Sequence, residues 1–197
     1  MTDKPDLAAL LGSRICHDLI SPIGAIGNGV ELLSLQGGGG PELALISESV
    51  AHASARIRFF RIAYGGFGPD QRIARTEITS ILTDLWRGTR MSVDWTSPGD
   101  LSRRDVKLVF LLLQCIESML PLGGRLRVEE GQGRWTLTAE AQRVKADLAV
   151  WETLVDPAAP AEIGAAEVQF ALAAEELRRQ HRRLVTEVGA SRVQLAF

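Results

Sequence analysis

Apolar residues recur at helical spacing on both sides of a glycine run, and this pattern constrains the fold of the first 66 residues. On the N-terminal side they follow steps of three and four, at Ile15, Leu19, Ile23, Ile26, Val30 and Leu33. On the C-terminal side the same steps run from Leu43 to Tyr64. A stripe with this spacing is typical of an amphipathic helix that buries one face. Two helices are therefore predicted, over about residues 6–35 and 41–64.

The glycine run, QGGGG at residues 36–40, should end the first helix and turn the chain back. Pro41 follows it and suits the first position of a helix, where the backbone N–H would have no helical partner. The two helices are thus predicted to form an antiparallel hairpin. Because two helices alone bury too little apolar surface, such hairpins usually pair into a four-helix bundle. We therefore predict a homodimer.

Mixed helices and strands are predicted beyond the hairpin, so we divide the chain into residues 1–66 and residues 69–197. Helices are predicted at about 76–86, 102–120, 145–154 and 165–183, and strands at about 90–95, 125–130, 134–140, 184–188 and 192–197. Ser102 and Asp105 have the spacing of a capping box. Paired strands between helices favour an antiparallel sheet covered by helices. The predicted fold class is α+β, a helical hairpin followed by an α/β sandwich.

The composition argues against several classes of function. A net charge of -2 disfavours a dedicated nucleic-acid surface. No apolar run approaches the roughly 20 residues that a membrane span needs, and the first residues, MTDKPDLAALL, lack the features of a signal peptide. Cys16 and Cys115 lie in apolar helical patterns, which predicts buried free thiols in a reducing compartment. A cytoplasmic protein is expected.

His17 is the residue with the clearest chemical potential. On a helix it shares a face with Ser21, Gly24 and Asn28, separate from the apolar stripe, so it should point to solvent beside small or polar neighbours. A neutral imidazole is a competent nucleophile and can hold a phosphoryl group on a ring nitrogen. The alternative is that a lone histidine is an ordinary surface or core residue.

The same helix contains several poor helix formers, namely Pro22, Gly24, Gly27 and Gly29. Interior glycine costs about 1 kcal/mol relative to alanine, and interior proline about 3 kcal/mol. Strong helical periodicity built from such residues is a conflict of the kind that occurs at functional sites. Close approach of a partner would account for Gly24, whereas Gly27 and Gly29 have no explanation at this level.

Arginines on the second helix add a candidate binding surface. In a hairpin that turns at residues 36–40, His17 should lie level with about residue 60, near Arg56, Arg58 and Arg61. A basic collar there would favour a phosphoryl group and an acidic partner, although a solvated charged face is an equal alternative. The candidate partner-binding residues are Arg14, Ser21, Gly24, Asn28, Arg56 and Arg61.

The string HDLISP at residues 17–22 resembles the H-box of sensor histidine kinases, in which an acid follows the histidine and a proline lies five residues after it. The longer string ICHDLISPIGAIGNGVELL, residues 15–33, resembles the ChpT-type histidine phosphotransferases of α-proteobacteria. That resemblance implies a dimerising hairpin followed by an ATPase-like domain. It also implies that His17 and Asp18 are the catalytic pair, with Asp18 orienting or activating the imidazole.

The second half lacks the nucleotide motifs of the kinases it resembles. LLLQCIESMLPLGGRLRV, residues 111–128, resembles the segment with the metal-binding asparagine, but Gln114 stands in its place. TLTAEAQRVKA, residues 136–146, lacks the next motif, and only Gly164 precedes the last long helix where a glycine-rich lid is expected. Phosphate cradling relies on such glycine-rich backbone. We therefore predict neither ATP binding nor another cofactor. Three consecutive residues, Cys16 to Asp18, cannot converge on one metal, so no metal site is predicted.

These features favour a phosphorelay histidine phosphotransferase that moves a phosphoryl group between aspartates of receiver domains through His17. The resemblance implies a hybrid kinase receiver as donor, response regulator receivers as acceptors, and Mg²⁺ supplied by the receiver. Direct contact with nucleic acid or a membrane is not expected. The alternatives are a non-catalytic dimeric adaptor for receiver domains and an ATP-dependent kinase with a divergent nucleotide site.

Overall fold

The computed structural model describes residues 7–36, 40–68, 70–97, 99–156, 159 and 162–197. Helix α1 spans Leu7–Gln36 and helix α2 spans Pro41–Ala63, so both predicted hairpin helices are confirmed to within a residue or two. Pro41 begins α2, and no side chain caps that end. Residues 1–6 are polar and would be expected to fray, and they lie outside the described residues.

The remainder of the chain forms one main sheet with helices packed against it. Its elements are β1 Arg72–Ile73, α3 Arg75–Trp86, β2 Met91–Trp95, β3 Leu101–Ser102, α4 Arg103–Ser118, β4 Gly124–Gly131, β5 Arg134–Glu140, α5 Leu148–Glu152, a 3-10 turn at Ala165–Glu167, α6 Val168–Arg179, β6 Val185–Val188 and β7 Arg192–Ala196. Together with the hairpin they confirm the α+β class.

The main sheet is mixed, with strand order β2-β4-β5-β7-β6. Strands β2 and β4 pair in parallel, with Val93 opposite Leu126, whereas the other neighbours are antiparallel. The prediction of an antiparallel sheet was wrong for this edge because α4 crosses over between the two strands and returns the chain to the same end. A small ladder between β1 and β3 also escaped prediction, since each strand has only two residues.

Strands β4 and β5 are joined by a two-residue turn, since Gly131 pairs with Arg134. Gln132 and Gly133 both have positive φ, 55° and 77°, as a two-residue turn that matches the twist of its strands requires. The Gly133 N–H donates to the Glu130 carboxylate at 3.1 Å.

Several helix ends differ from their predicted positions. Ser102 makes no capping bond, and Asp105 instead accepts a bond from Arg182 at 3.0 Å, so the predicted capping box is absent. Helix α5 is shorter than predicted because the Asp147 carboxylate caps it, accepting from the N–H groups of Ala149 and Val150. Helix α6 ends at Arg179, earlier than predicted, and His181, with a φ of 52°, closes a Schellman-type terminus just beyond it.

Helix α4 lies at the centre of the core, and the core continues into the hairpin. Leu108 and Phe110 are fully buried, and the Phe110 ring stacks on Phe59 of α2 with centroids 4.7 Å apart. Ile62 and Ala63 belong to the same cluster. The apolar core includes residues from both sides of the predicted boundary at 66–69, so the division of the chain into two domains there stays a prediction.

The two cysteines have opposite surroundings. Cys115 is buried as predicted, and burial raises the pKa of its thiol well above the usual range. Cys16 is exposed, so its predicted burial was wrong. No described part of the chain covers that side of α1. Among the described helices, none combines the length and hydropathy that a bilayer-spanning segment requires.

Candidate functional site

His17 stands on the outer surface of α1. Its side chain is 86% exposed, and Ser21, Gly24 and Asn28 on the same face are exposed as well. Leu19 and Ile26, on the opposite face, are only partly exposed. Ile23 and Val30 belong to the same predicted stripe, yet they are 58% and 51% exposed, so within one chain the division into an apolar face and an open polar face holds only in part.

Asp18 contacts the His17 ring directly. Its Oδ1 lies 3.2 Å from Nδ1 of His17, and its side chain is only 9% exposed. A carboxylate only accepts hydrogen bonds, so this contact selects the tautomer with the proton on Nδ1. The lone pair of the neutral ring is then on Nε2. Adjacent side chains on a helix do not ordinarily face each other, so residue spacing alone does not predict this contact.

Two arginines contact or approach the same carboxylate. Nε of Arg14 donates to Oδ2 of Asp18 at 3.1 Å, and Nη1 of Arg56 lies 4.0 Å from that oxygen. Nη1 of Arg14 also donates to the carbonyl of Ala166 at 2.8 Å, in the turn that precedes α6. Sequence reasoning named Arg14 only as a partner contact, although its spacing of four residues from Asp18 is a recognisable ion-pair signal.

The other arginines of the predicted collar are engaged elsewhere. Arg58 pairs with Asp84 at 3.1 Å, and Arg61 pairs with Glu77 at 3.1 Å. Both acids lie on α3, which packs along α2 and holds these side chains. Burial acts to raise the pKa of Asp84, but the arginine N–H donors outweigh it and lower that pKa. Of the three arginines, the structure therefore brings only Arg56 to the His17–Asp18 pair.

The proline and glycines of α1 have different local effects. Pro22 lies inside the helix and has no N–H to donate to the carbonyl of Asp18, four residues earlier. A Cβ added at Gly24 or Gly27 would meet nothing within 4 Å, so packing within this chain does not require glycine there. Gly29 is buried.

Gln114, which replaces the metal-binding asparagine of the kinase motif, is part of the core. It is 2% exposed, and its Oε1 accepts a hydrogen bond from the Tyr64 hydroxyl at 2.8 Å. Burial raises the pKa of Tyr64 to about 12. The Gln114 side chain thus joins α4 to the end of α2. In the described part of the chain, no three His, Cys, Asp or Glu side chains are grouped as a metal site would need.

Comparisons with known proteins converge on one family. The family model described as "Histidine phosphotransferase C-terminal domain" matches residues 75–192. The protein phosphotransferase ChpT of Brucella abortus (strain 2308) is 38% identical over 146 residues, which are 71% of this chain and 70% of that protein.

A solved phosphotransferase structure gives the same picture at the level of the fold. A bacterial phosphotransferase solved at 1.7 Å has a TM-score of 0.81 and 31% identity, and the match covers 97% of this chain and 95% of the other. A histidine kinase domain from Erythrobacter litoralis EL346 covers 98% of this chain and 93% of its own, with 11% identity and a TM-score of 0.47.

Proposed function

The chain belongs to the family of ChpT-type histidine phosphotransferases, which act in phosphorelays, and from this premise we propose that His17 carries the phosphoryl group and Asp18 assists it. The single observation that carries the proposal is a solvent-exposed imidazole whose Nδ1 contacts a carboxylate. Such a ring presents a nucleophilic Nε2 to an approaching protein.

The transfer step follows from this tautomer. The Nε2 lone pair attacks the phosphorus of an aspartyl phosphate on a receiver domain. The N–P bond forms as the P–O bond to the aspartate breaks, and the electron pair leaves on the released carboxylate. The ring keeps its Nδ1 proton and becomes cationic, and the nearby Asp18 carboxylate offsets that charge. The reverse step delivers the phosphoryl group to an aspartate of a second receiver.

The partners of this reaction are receiver domains, with a hybrid kinase as the proposed donor and response regulators as the proposed acceptors. Ser21, Gly24 and Asn28 form the open face that admits them. We propose that the receiver brings the Mg²⁺ and that ATP is not a substrate. The buried bond between Gln114 and Tyr64 supports the latter, because it occupies the side chain that would otherwise stand near a metal.

A homodimer is the proposed assembly. Nine of the thirteen large apolar side chains that are exposed in the described part of the chain lie on the hairpin. Leu43, Val50 and Ile57 are seven residues apart on α2, and about half of each is exposed. A heptad stripe is the usual seam between packed helices. The second copy would cover it and complete a four-helix bundle.

The proposal is tested with a receiver domain carrying a labelled aspartyl phosphate and no nucleotide. We expect label to move to the wild-type protein and to remain on the receiver with His17→Ala. His181→Asn is the matched control, since it removes another exposed histidine at a backbone angle that asparagine tolerates. Label on the His17→Ala protein would overturn the proposal.

Two further outcomes identify the alternatives. A wild-type protein that binds the receiver but never takes up label would be an adaptor. A wild-type protein that labels itself with ATP alone, in the absence of a receiver, would be a kinase. Either result would contradict the proposed function.

A further inference from the structure

Arg14 connects the catalytic pair to the sandwich through one side chain. Its Nε donates to Oδ2 of Asp18 at 3.1 Å, while its Nη1 donates to the Ala166 carbonyl at 2.8 Å. The side chain is 20% exposed, which leaves little of it available to a partner. Its contacts are thus already made within this chain.

The Ala166 carbonyl, to which Arg14 donates, is itself held in place. The Ala166 carbonyl also accepts a hydrogen bond from Nε2 of Gln169 at 2.9 Å, and Gln169 is fully buried at the start of α6. A carbonyl oxygen has two lone pairs, and the two donors use both. Arg14 is therefore bonded to a fixed point of the sandwich rather than to a free loop.

Asp18, the other partner of Arg14, contacts the His17 ring and so affects its orientation. The two oxygens of Asp18 have separate roles, because Oδ2 accepts from Arg14 while Oδ1 contacts Nδ1 of His17. A carboxylate is planar, so a bond that fixes Oδ2 also fixes the direction of Oδ1. Arg56 is 4.0 Å from Oδ2 and adds positive charge on the same side.

We propose that Arg14 is a positioning residue that ties the His17–Asp18 pair to the turn before α6 and thereby sets the tautomer and direction of the imidazole. This inference rests on the proposed role of His17. It differs from the sequence-based expectation that Arg14 contacts the partner. Arg14 acts on the transfer step through Asp18, and the affinity for the receiver does not depend on it.

The test compares Arg14→Gln and Arg14→Lys with the wild type. Arg179→Gln is the matched control, because Arg179 also pairs with a carboxylate four residues away, Glu175, on another helix. Transfer from phosphorylated receiver is measured in single turnovers over a range of receiver concentrations. Nitrogen-15 NMR of the histidine side chains reports the tautomer of His17 without any turnover.

For Arg14→Gln we expect the saturated transfer rate to fall by about 10- to 100-fold, the size that small misplacements of a reacting group produce. The half-saturating receiver concentration should stay within about twofold, and His17 should become a mixture of both neutral tautomers. Arg14→Lys should recover part of the rate. An ammonium group can bind the Asp18 carboxylate but cannot donate to Asp18 and the Ala166 carbonyl at once, as the planar guanidinium does. Arg179→Gln should match the wild type.

Other results would overturn the proposal. An unchanged tautomer with a raised half-saturating concentration would make Arg14 a partner contact, and unchanged values throughout would remove it from the mechanism. Failure of the proposed function is distinguishable, because the wild type itself would then take up no label. The NMR measurement is made on protein whose folding is checked by circular dichroism, so a tautomer change in folded Arg14→Gln reports positioning directly.

Discussion

Helices α1 and α4 are both rich in apolar residues, yet their surroundings are opposite. Eleven of the sixteen residues of α4 are buried, including the whole run from Leu108 to Ile116. Among the α1 residues whose burial is described, only Gly29 is buried, and Ile20 is 68% exposed. The chain thus supplies a complete environment for α4 and an incomplete one for α1.

This difference separates α4, which specifies the fold, from α1, for which we propose contacts with other molecules. The residues of α4 fill the centre of the core, where nearly every side chain contacts its own chain. Helix α1 has Pro22 in its interior, keeps Gly24 and Gly27 where packing within the chain does not require glycine, and exposes apolar surface beside His17. A second copy and a receiver domain are the proposed completion of that helix.

The largest expected effect is on α4. Phe110→Ala should lower the free energy of unfolding by about 3–5 kcal/mol, because it leaves a cavity beside the stacked Phe59 ring. Ile20→Ala, an exposed position of α1, should change it by no more than about 0.5 kcal/mol. Urea denaturation at one fixed protein concentration measures both. Similar losses for the two variants would contradict the comparison.

The next effect concerns the apolar seam of the hairpin. Val50→Asp places a charge in the proposed dimer interface, where it would lose water without gaining a partner. We expect the dimer dissociation constant to rise about 100-fold or more, equivalent to ~2.7 kcal/mol, as measured by light scattering over a concentration series. Leu148→Asp, at an exposed apolar residue of the sandwich, is the control and should leave the dimer intact. A Val50→Asp protein as dimeric as the wild type would show that the seam lies elsewhere.

A smaller loss is expected at the junction between α2 and α4. Tyr64→Phe removes one oxygen atom but leaves buried Oε1 of Gln114 without its donor, which should cost about 1–3 kcal/mol. The double variant Tyr64→Phe with Gln114→Leu should recover most of that loss, because no buried polar group then lacks a partner. Chemical denaturation of the wild type, both single variants and the double variant measures this coupling. Strictly additive losses would mean that the bond does not join the two helices.

The same tyrosine gives a pH dependence. Its pKa is about 12 in the folded protein and about 10 in an unfolded chain, so the unfolded state loses the phenolic proton first as pH rises. Stability should therefore fall from about pH 10 upward, and Tyr64→Phe should lack this part of the decline. Melting temperatures between pH 8 and pH 11 test it. An identical alkaline slope in both proteins would contradict the assignment to Tyr64.

The smallest effect on stability is expected at the glycines of α1. Gly24→Ala and Gly12→Ala should each stabilise the folded protein by up to about 1 kcal/mol, since a Cβ meets nothing within 4 Å at either position. Only Gly24→Ala should slow transfer from the receiver, because Gly24 shares the open face with His17. Thermal melts combined with transfer assays separate the two effects. Equal transfer rates in both variants would remove Gly24 from the docking face.

Local sequence patterns were enough to predict the hairpin, most helices and the strand pair around Gly133, because each depends on neighbours in the chain. They also placed His17 on an open face. Pairing across the chain was not accessible in the same way: the parallel contact of β2 with β4 depends on where α4 packs. The separation of Arg61 from the site depends likewise on Glu77 of α3.

The candidate site, too, could be predicted only in part from local sequence patterns. The contact between His17 and Asp18 depends on the direction of one carboxylate. Arg14 donates to that carboxylate and also to a carbonyl 152 residues further along the chain, and we propose that it sets this direction. The spacing of Arg14 from Asp18 was visible in the sequence, but the position of Ala166 was not. The surroundings of His17 therefore depend on long-range packing that local sequence patterns do not reveal.

The most direct test of the account is the chemical position of the phosphoryl group after incubation with a phosphorylated receiver in the absence of ATP. Phosphorus-31 and nitrogen-15 NMR, with peptide mapping under alkaline conditions, identify the atom that carries it. The account predicts one acid-labile, base-stable phosphoryl group on Nε2 of His17, formed as the receiver loses its own. Phosphate on Nδ1 of His17, on another residue, or on no residue of this protein would contradict it.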